Sequence, residues 1–146
     1  MSKELIDRAG EIIGALTPQG DQLGAEPYCV LALLDEQGYP TASTITPAKS
    51  IGIEQIYFGT GVNSNKAKRI ALSNRAAVCV NGASHNITLV GEIEVLTDAE
   101  IKQECWYNGL SGHFSGADDP EYCVLRFTTK RYNLFVDFQP ELAGEL

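Results

Sequence analysis

Hydrophobic residues recur along this chain with two different periods, and the switches between them lay out its elements. From Ser2 to Leu16 the apolar positions Leu5, Ile6, Ala9, Ile12, Ile13 and Leu16 fall at helical spacing, with Lys3, Glu4, Asp7, Arg8 and Glu11 largely elsewhere. The pattern predicts an amphipathic helix, ended by Thr17-Pro18-Gln19-Gly20. Tyr28 to Asp35 is a nearly continuous apolar run that predicts a strand. A turn through Glu36-Gln37-Gly38 leads to its hairpin partner, Tyr39 to Thr46. That second strand is small and hydroxyl-rich over Ala42, Ser43, Thr44 and Thr46, which suits either close approach of a flat ligand or a face open to water. Pro47 is expected to end it. A third strand, Gln55 to Phe58, is expected to break at Gly59-Thr60-Gly61, and the chain restarts as a helix from Ser64 to Leu72 with Ser64 as its cap.

After a turn at Asn74-Arg75, Ala76 to Val80 predicts another strand and Asn81 to His85 a loop. Asn86 to Leu96 predicts a longer strand in which Gly91 marks a bulge or a close backbone approach. Thr97-Asp98-Ala99-Glu100 has the form of a capping box opening a helix to about Asn108. A glycine-rich loop with His113 and Phe114 follows, then two strands, Glu121–Thr129 and Tyr132–Phe138, with residues 139–146 left as a tail. The tally is six or seven strands, mostly hairpin-connected, with helices at the periphery. It predicts one mainly β domain over residues 1–146, an antiparallel barrel rather than a parallel α/β sheet.

Composition narrows the function classes. At 146 residues the chain can bury a core but is small for enclosing a cofactor alone, so a site completed across a dimer interface is expected. Apolar content is 44% with no run of membrane-spanning length, and the amphipathic N-terminus lacks the apolar core of a signal peptide. A cytoplasmic protein with no membrane partner is expected. Cys29, Cys79, Cys105 and Cys123 lie far apart without a C-x-x-C pair, which favours buried free thiols over a disulfide framework, and no metal site is expected.

Charge singles out one stretch. The chain carries 11 Lys+Arg against 19 Asp+Glu, net −8. Yet from Lys49 to Arg75 there are five basic residues (Lys49, Lys66, Lys68, Arg69, Arg75) and one acid, Glu54. A small cationic island in an acidic protein holds a compact anion while the surrounding field repels polyanions, so nucleic acid is not expected as a partner. Within that island, Ile56 to Arg69 reads as strand, glycine-broken turn and capped helix start, an arrangement that presents N–H donors and a positive helix end to a phosphate. The same charges on a solvated helix face are the plainer alternative. No Walker A run occurs, and Ser64 stands where a dinucleotide fingerprint needs its third glycine. No Ser/His/Asp, Cys/His or paired-carboxylate constellation is present, and His85 and His113 are expected as loop residues, so no catalytic side chain is assigned.

Taken in order, Ile56-Tyr57-Phe58-Gly59-Thr60-Gly61, Ser64-Asn65-Lys66, Asn74-Arg75-Ala76-Ala77-Val78, Gly91-Glu92-Ile93-Glu94-Val95 and Trp106 with Phe114-Ser115-Gly116-Ala117-Asp118-Asp119-Pro120 resemble the pyridoxamine 5'-phosphate oxidase-like family, FMN-binding split barrels, and its small general-stress-protein branch. The resemblance runs from about Glu4 to Phe138. It implies a six-stranded Greek-key barrel forming a homodimer with two FMN molecules at the interface. It also implies that Thr60, Ser64 and Lys66 hold the phosphate, that Lys49 approaches the flavin, and that Thr44, Ile45 and Thr46 line the isoalloxazine. Asn86 is placed near the flavin, and Trp106 and Phe114 come from the partner subunit or belong to the core. Thr44 and Asn65 stand where many relatives have arginine, so Lys49, Lys68 or Arg69 must compensate. The contacts by which true oxidases hold pyridoxamine phosphate are not recognisable, and with the chain ending at Leu146 their C-terminal extension is expected to be missing. The implied activity is an FMN-dependent oxidoreductase with NAD(P)H or another reductant as donor and a small acceptor. A non-catalytic FMN-binding or redox-sensing module and a barrel for haem or a deazaflavin are the alternatives.

Overall fold

The structure is a computed structural model that describes residues 2–18 and 27–146. Gln19 and Gly20, the second half of the expected helix stop, lie outside the described residues. Helix α1 (Ser2–Ala15) is followed by β1 (Cys29–Leu34), β2 (Pro40–Ile45), β3 (Pro47–Ile51), β4 (Gln55–Gly61), α2 (Asn65–Leu72), β5 (Arg75–Gly82) and β6 (His85–Leu96). Then come α3 (Ala99–Cys105), a 3-10 turn (Asn108–Gly112), β7 (Tyr122–Val136) and β8 (Leu142–Glu145). Every strand pairing is antiparallel, in the order β2-β1-β5-β6-β7-β4-β3, with β8 added beside β7. The mainly β, curled antiparallel architecture is the one expected. The strand count is not: the described residues form eight strands rather than the six or seven expected.

Each difference has a local cause. β2 ends before Pro47 as expected, but Pro47 itself starts a further strand, β3, at the edge of the sheet, where a missing N–H leaves no ladder bond unmade. Gly59-Thr60-Gly61 does not break β4; it pairs in register with Val124, Cys123 and Tyr122. Gly59 is small for another reason: a Cβ there would sit 3.1 Å from Leu110 and 3.3 Å from Tyr122. Residues 81–85 form a tight hairpin instead of a loop, with Gly82 paired to His85. Asp98, not Thr97, caps α3, without a side-chain cap bond, and the helix stops at Cys105. The two last strands are one, since the charged Lys130 is absorbed in a bulge where Val90 faces Arg131 and Gly91 faces Thr129. The bulge expected at Gly91 is there, and a Cβ on it would strike the Thr128 carbonyl. Leu142–Glu145, expected as part of a tail, supplies β8.

Long β6 and β7 carry the two halves of the sheet, so the inner face closes over one core of Leu31, Val78, Leu89, Ile56, Phe58, Phe127 and Leu134. Helix α1 plugs its end with Ala9 and Ile13, both at 0% exposure. It can approach because Gly10 lies on Gly52: a Cβ at Gly10 would be 2.9 Å from the Gly52 Cα. Thr129 fixes the nearby turn, its hydroxyl donating to the Ile53 carbonyl at 2.6 Å. A second cluster, with Tyr57, Cys105, Leu110, Tyr122 and Val124, fills the space between β4–β7 and α3.

Candidate functional site

Strand β4 delivers Thr60 and Gly61 to the start of α2. Ser64, in extended conformation, accepts from the Ala67 N–H at 3.1 Å through its side chain and from the Lys68 N–H at 3.1 Å through its carbonyl. The expected cap is thus confirmed, and the Ser64 hydroxyl oxygen is engaged in it. The N–H groups of Asn65 and Lys66 open the helix, where the intrahelical ladder supplies no carbonyl. Lys66 is half-buried, and its ammonium has no hydrogen-bond or ion-pair partner among the described residues. Burial first, and Arg69 second, push its pKa below the ordinary 10.5.

Lys49 is differently placed. Its ammonium lies 3.1 Å from Glu104 Oε2 and 5.5 Å from the centre of the Tyr57 ring, and Glu104 raises its pKa. Of the two lysines expected at the site, only Lys66 keeps an uncommitted charge. The Lys49–Glu104 pair was not legible in the sequence, since 55 residues separate its members.

Pairing of Pro47 with Phe58 brings the end of β2 and the end of β4 out of the sheet on the same side, so Thr46 leaves beside Gly59 and near Thr60. Thr46 bonds the Tyr107 side chain, whose phenol burial pushes up more than this bond lowers it. Ile45 turns toward the core and its carbonyl accepts from the Cys29 thiol at 3.6 Å, whereas Thr44 is exposed on the outer face of the sheet. Trp106 and Phe114 pack on Tyr122 of their own chain, each with ring centroids 5.4 Å away, and Gly61 pairs with that tyrosine. Buried Lys102 holds this wall together, donating to the Asp119 carbonyl at 2.9 Å above the Tyr122 ring.

Asn86 lies toward the other end of the long strands from Thr60. It pairs with Phe135 while Thr60 pairs with Cys123. At about 3.3 Å per residue, that is on the order of 40 Å along β7. Its amide oxygen accepts from the half-exposed Cys79 thiol at 3.4 Å. The other thiols are free and buried; desolvation raises all three pKa values, Cys29 to about 12 and Cys105 to about 11, which leaves them inert as nucleophiles. His85 opens β6 with its ring against Gly82 and His113 is exposed, so His85 is a strand residue rather than the loop residue expected.

The sequence alone missed the outer face of the sheet. Cross-strand rows run Thr44, Val30, Cys79, Thr88, Asn133 and Ala42, Ala32, Ala77, Val90, Arg131. Val30, Ala32, Leu34, Ala77, Cys79 and Val90 are only partly covered there, and cavities of about 430 and 260 Å³ flank them. Alternation along β1 reads as continuous hydrophobicity because both faces are apolar, the inner one buried and the outer one partly covered.

A family model for pyridoxamine 5'-phosphate oxidase matches residues 19–135. The chain belongs to the pyridoxamine 5'-phosphate oxidase family. Solved members and neighbours share its fold at low identity. A protein from Clostridium acetobutylicum related to general stress protein 26 of Bacillus subtilis is 22% identical, with 92% of this chain and 96% of that one covered and a TM-score of 0.71. General stress protein 26 from Bacillus anthracis str. Sterne is 17% identical over 82% and 88%, TM-score 0.71. A heme binding protein from Mycobacterium smegmatis is 16% identical over 94% and 57%, TM-score 0.68. No curated protein matches the sequence. This family resemblance is thus established for the chain and the split-barrel fold with it. Among the described residues no helix is long and apolar enough to cross a membrane, and no His/Cys/Asp/Glu group is arranged to hold a metal ion.

Proposed function

We propose that the chain is a homodimeric FMN-dependent oxidoreductase of the cytoplasm. The observation that carries this reading is Lys66: a half-buried ammonium without a counter-ion among the described residues, beside a capped helix start and Thr60. A compact dianion satisfies it, and the phosphate of FMN is such a group. The donor set therefore fits the cofactor's tail. Thr60 and the first N–H groups of α2 would bind alongside Lys66, with Ser64 shaping the turn from its cap position.

When bound, the flavin supplies the electron chemistry; the chain supplies binding, orientation and the field around it. Thr44, Ile45 and Thr46 would border the ring where β2 leaves the sheet. Lys49, restrained by Glu104 and Tyr57, would present one ammonium in a fixed direction. The partly covered outer face of β1, β5 and β6 supports a second copy packed on it. Asn86, remote from Thr60 in its own chain, would then serve the partner's site. Trp106, packed on its own Tyr122, is a wall of the cis site. A nicotinamide donor and a small acceptor fit an oxidoreductase without its own acid or base; oxidation of pyridoxamine phosphate is not part of the proposal.

The test is an absorption spectrum of the purified protein with mass identification of any small molecule released on denaturation, followed by FMN titration. Flavin bands and saturable FMN binding are expected. A Soret band, a deazaflavin mass or no FMN uptake would sink the proposal. Anaerobic bleaching by NAD(P)H separates the oxidoreductase from a non-catalytic FMN-binding module.

A further inference from the structure

Lys102 is the one charged side chain buried among the described residues, at 7% exposure, and it makes no ion pair with them. Its ammonium donates to the Asp119 carbonyl at 2.9 Å and lies 5.4 Å from the centre of the Tyr122 ring. Lysine is almost never this buried without an acidic partner, because taking the ammonium out of water is costly. A methionine of similar length would cover the Tyr122 ring with no charge to desolvate. What the ammonium holds in place accounts for its being there.

Asp119 ties together the loop that leads into β7. Its carboxylate accepts from the Ser115 N–H at 2.9 Å, the Ser115 hydroxyl at 3.3 Å and the Glu121 N–H at 2.9 Å. Its carbonyl takes the Tyr122 N–H at 3.0 Å as well as Lys102. Glu121, fixed in this way, reaches the link between β4 and α2. Its carbonyl accepts from the Val62 N–H at 2.9 Å, and its carboxylate from the Asn63 amide at 3.5 Å. Tyr122 is held from two sides, paired with Gly61 and donating its hydroxyl to the Lys102 carbonyl at 2.9 Å.

Residues 62–64 set the spacing between Thr60 and the first N–H groups of α2, and so decide whether those donors and Lys66 converge on one point. Among the described residues, the hydrogen bonds that tie this link to other parts of the molecule run to Glu121. A site assembled from separate elements loses affinity when their spacing relaxes, because the ligand must then order them.

We propose that Lys102 is a positioning residue for the phosphate site, acting through Asp119 and Glu121 to fix the 62–64 link. The inference rests on the FMN reading and adds to it a residue on α3.

The experiment is a pair of fluorimetric titrations, with FMN and with riboflavin, of the full chain and of Lys102→Met, Asp119→Ala and Lys66→Ala, each checked for folding by far-UV circular dichroism. Riboflavin is FMN without its phosphate, so the ratio of the two affinities reads the phosphate site apart from the rest of the pocket. Lys102→Met and Asp119→Ala should each bind FMN about five- to tenfold more weakly and riboflavin within about twofold of wild type. FMN affinity within about twofold of wild type in either folded variant overturns the inference. So does an equal loss of FMN and riboflavin, which makes the residue a general support of the fold. Should Lys102→Met fail to fold, Asp119→Ala, whose side chain is half-buried, decides by the same two criteria. If Lys66→Ala loses FMN while the other two variants bind like wild type, the cofactor reading stands and this inference alone fails. If wild type takes no FMN, both fall.

Discussion

A lysine ammonium half removed from water without a counter-ion is disfavoured in its charged form, and among the described residues Lys66 has none. In the free protein this is a small liability at neutral pH, relieved as pH rises through the depressed folded-state pKa. A bound phosphate dianion reverses the balance by supplying the missing charge. FMN affinity should therefore hold from about pH 7, above the second phosphate pKa of ~6. It should fall as pH climbs through the lowered lysine value toward 10.5. Lys66→Arg, which keeps its charge, should lack that alkaline fall, and the difference between the two titrations is the readout. Lys66→Ala should weaken binding by about 10–100-fold near pH 7, the loss of a charge-assisted hydrogen bond of about 1.5–3 kcal/mol, and the gap to wild type should close as the lysine deprotonates. Ser64 separates two roles that the sequence merges. Ser64→Ala removes the cap and should cost about 1 kcal/mol in urea unfolding. Ser64→Asp keeps a capping oxygen, so stability should hold while the added negative charge lowers FMN affinity; equal affinity for both variants would place the phosphate elsewhere.

At the scale of elements, helix α1 and the β3–β4 turn meet through two glycines, and the energetics of that contact can be decided by magnitude. In an isolated helix, Gly10→Ala gains about 1 kcal/mol of propensity. Here the new Cβ would stand 2.9 Å from the Gly52 Cα, against backbone that cannot rotate away. Overpacking of this kind costs about 1–3 kcal/mol, so the net effect should be a loss of up to about 2 kcal/mol in thermal or urea unfolding. A stabilised Gly10→Ala would mean that the helix does not seat on Gly52. Most elements were legible because their hydrophobic period is strong: α1, the β1–β2 hairpin and the Ser64 cap stand where the pattern puts them. Boundaries were lost where glycine and proline have tertiary reasons. Gly59 makes room for Leu110, Pro47 tolerates an edge, and Lys130 is absorbed in a bulge, none of which changes the local sequence signal.

At the scale of the whole molecule the outer face of β1, β5 and β6 sets the expectation. A charge placed in the middle of a partly covered apolar face blocks a second copy without touching the inner core, and Ala77 is such a position. Ala77→Glu should sediment as a folded monomer with native far-UV circular dichroism and should lose FMN. A variant that remains dimeric and yellow would assign the interface to another surface. Periodicity and the Ile56–Arg69 stretch by themselves determined that this is a mainly β domain with a serine-capped helix start after β4, because short-range pattern governs pairing faces and caps. The sequence could not reveal that Lys49 is committed to Glu104 while Lys66 has no partner among the described residues, or that Thr60 and Asn86 pair with opposite ends of β7. Those are relations between residues tens of positions apart, and only the register of the strands and the curl of the sheet bring such residues together or hold them apart.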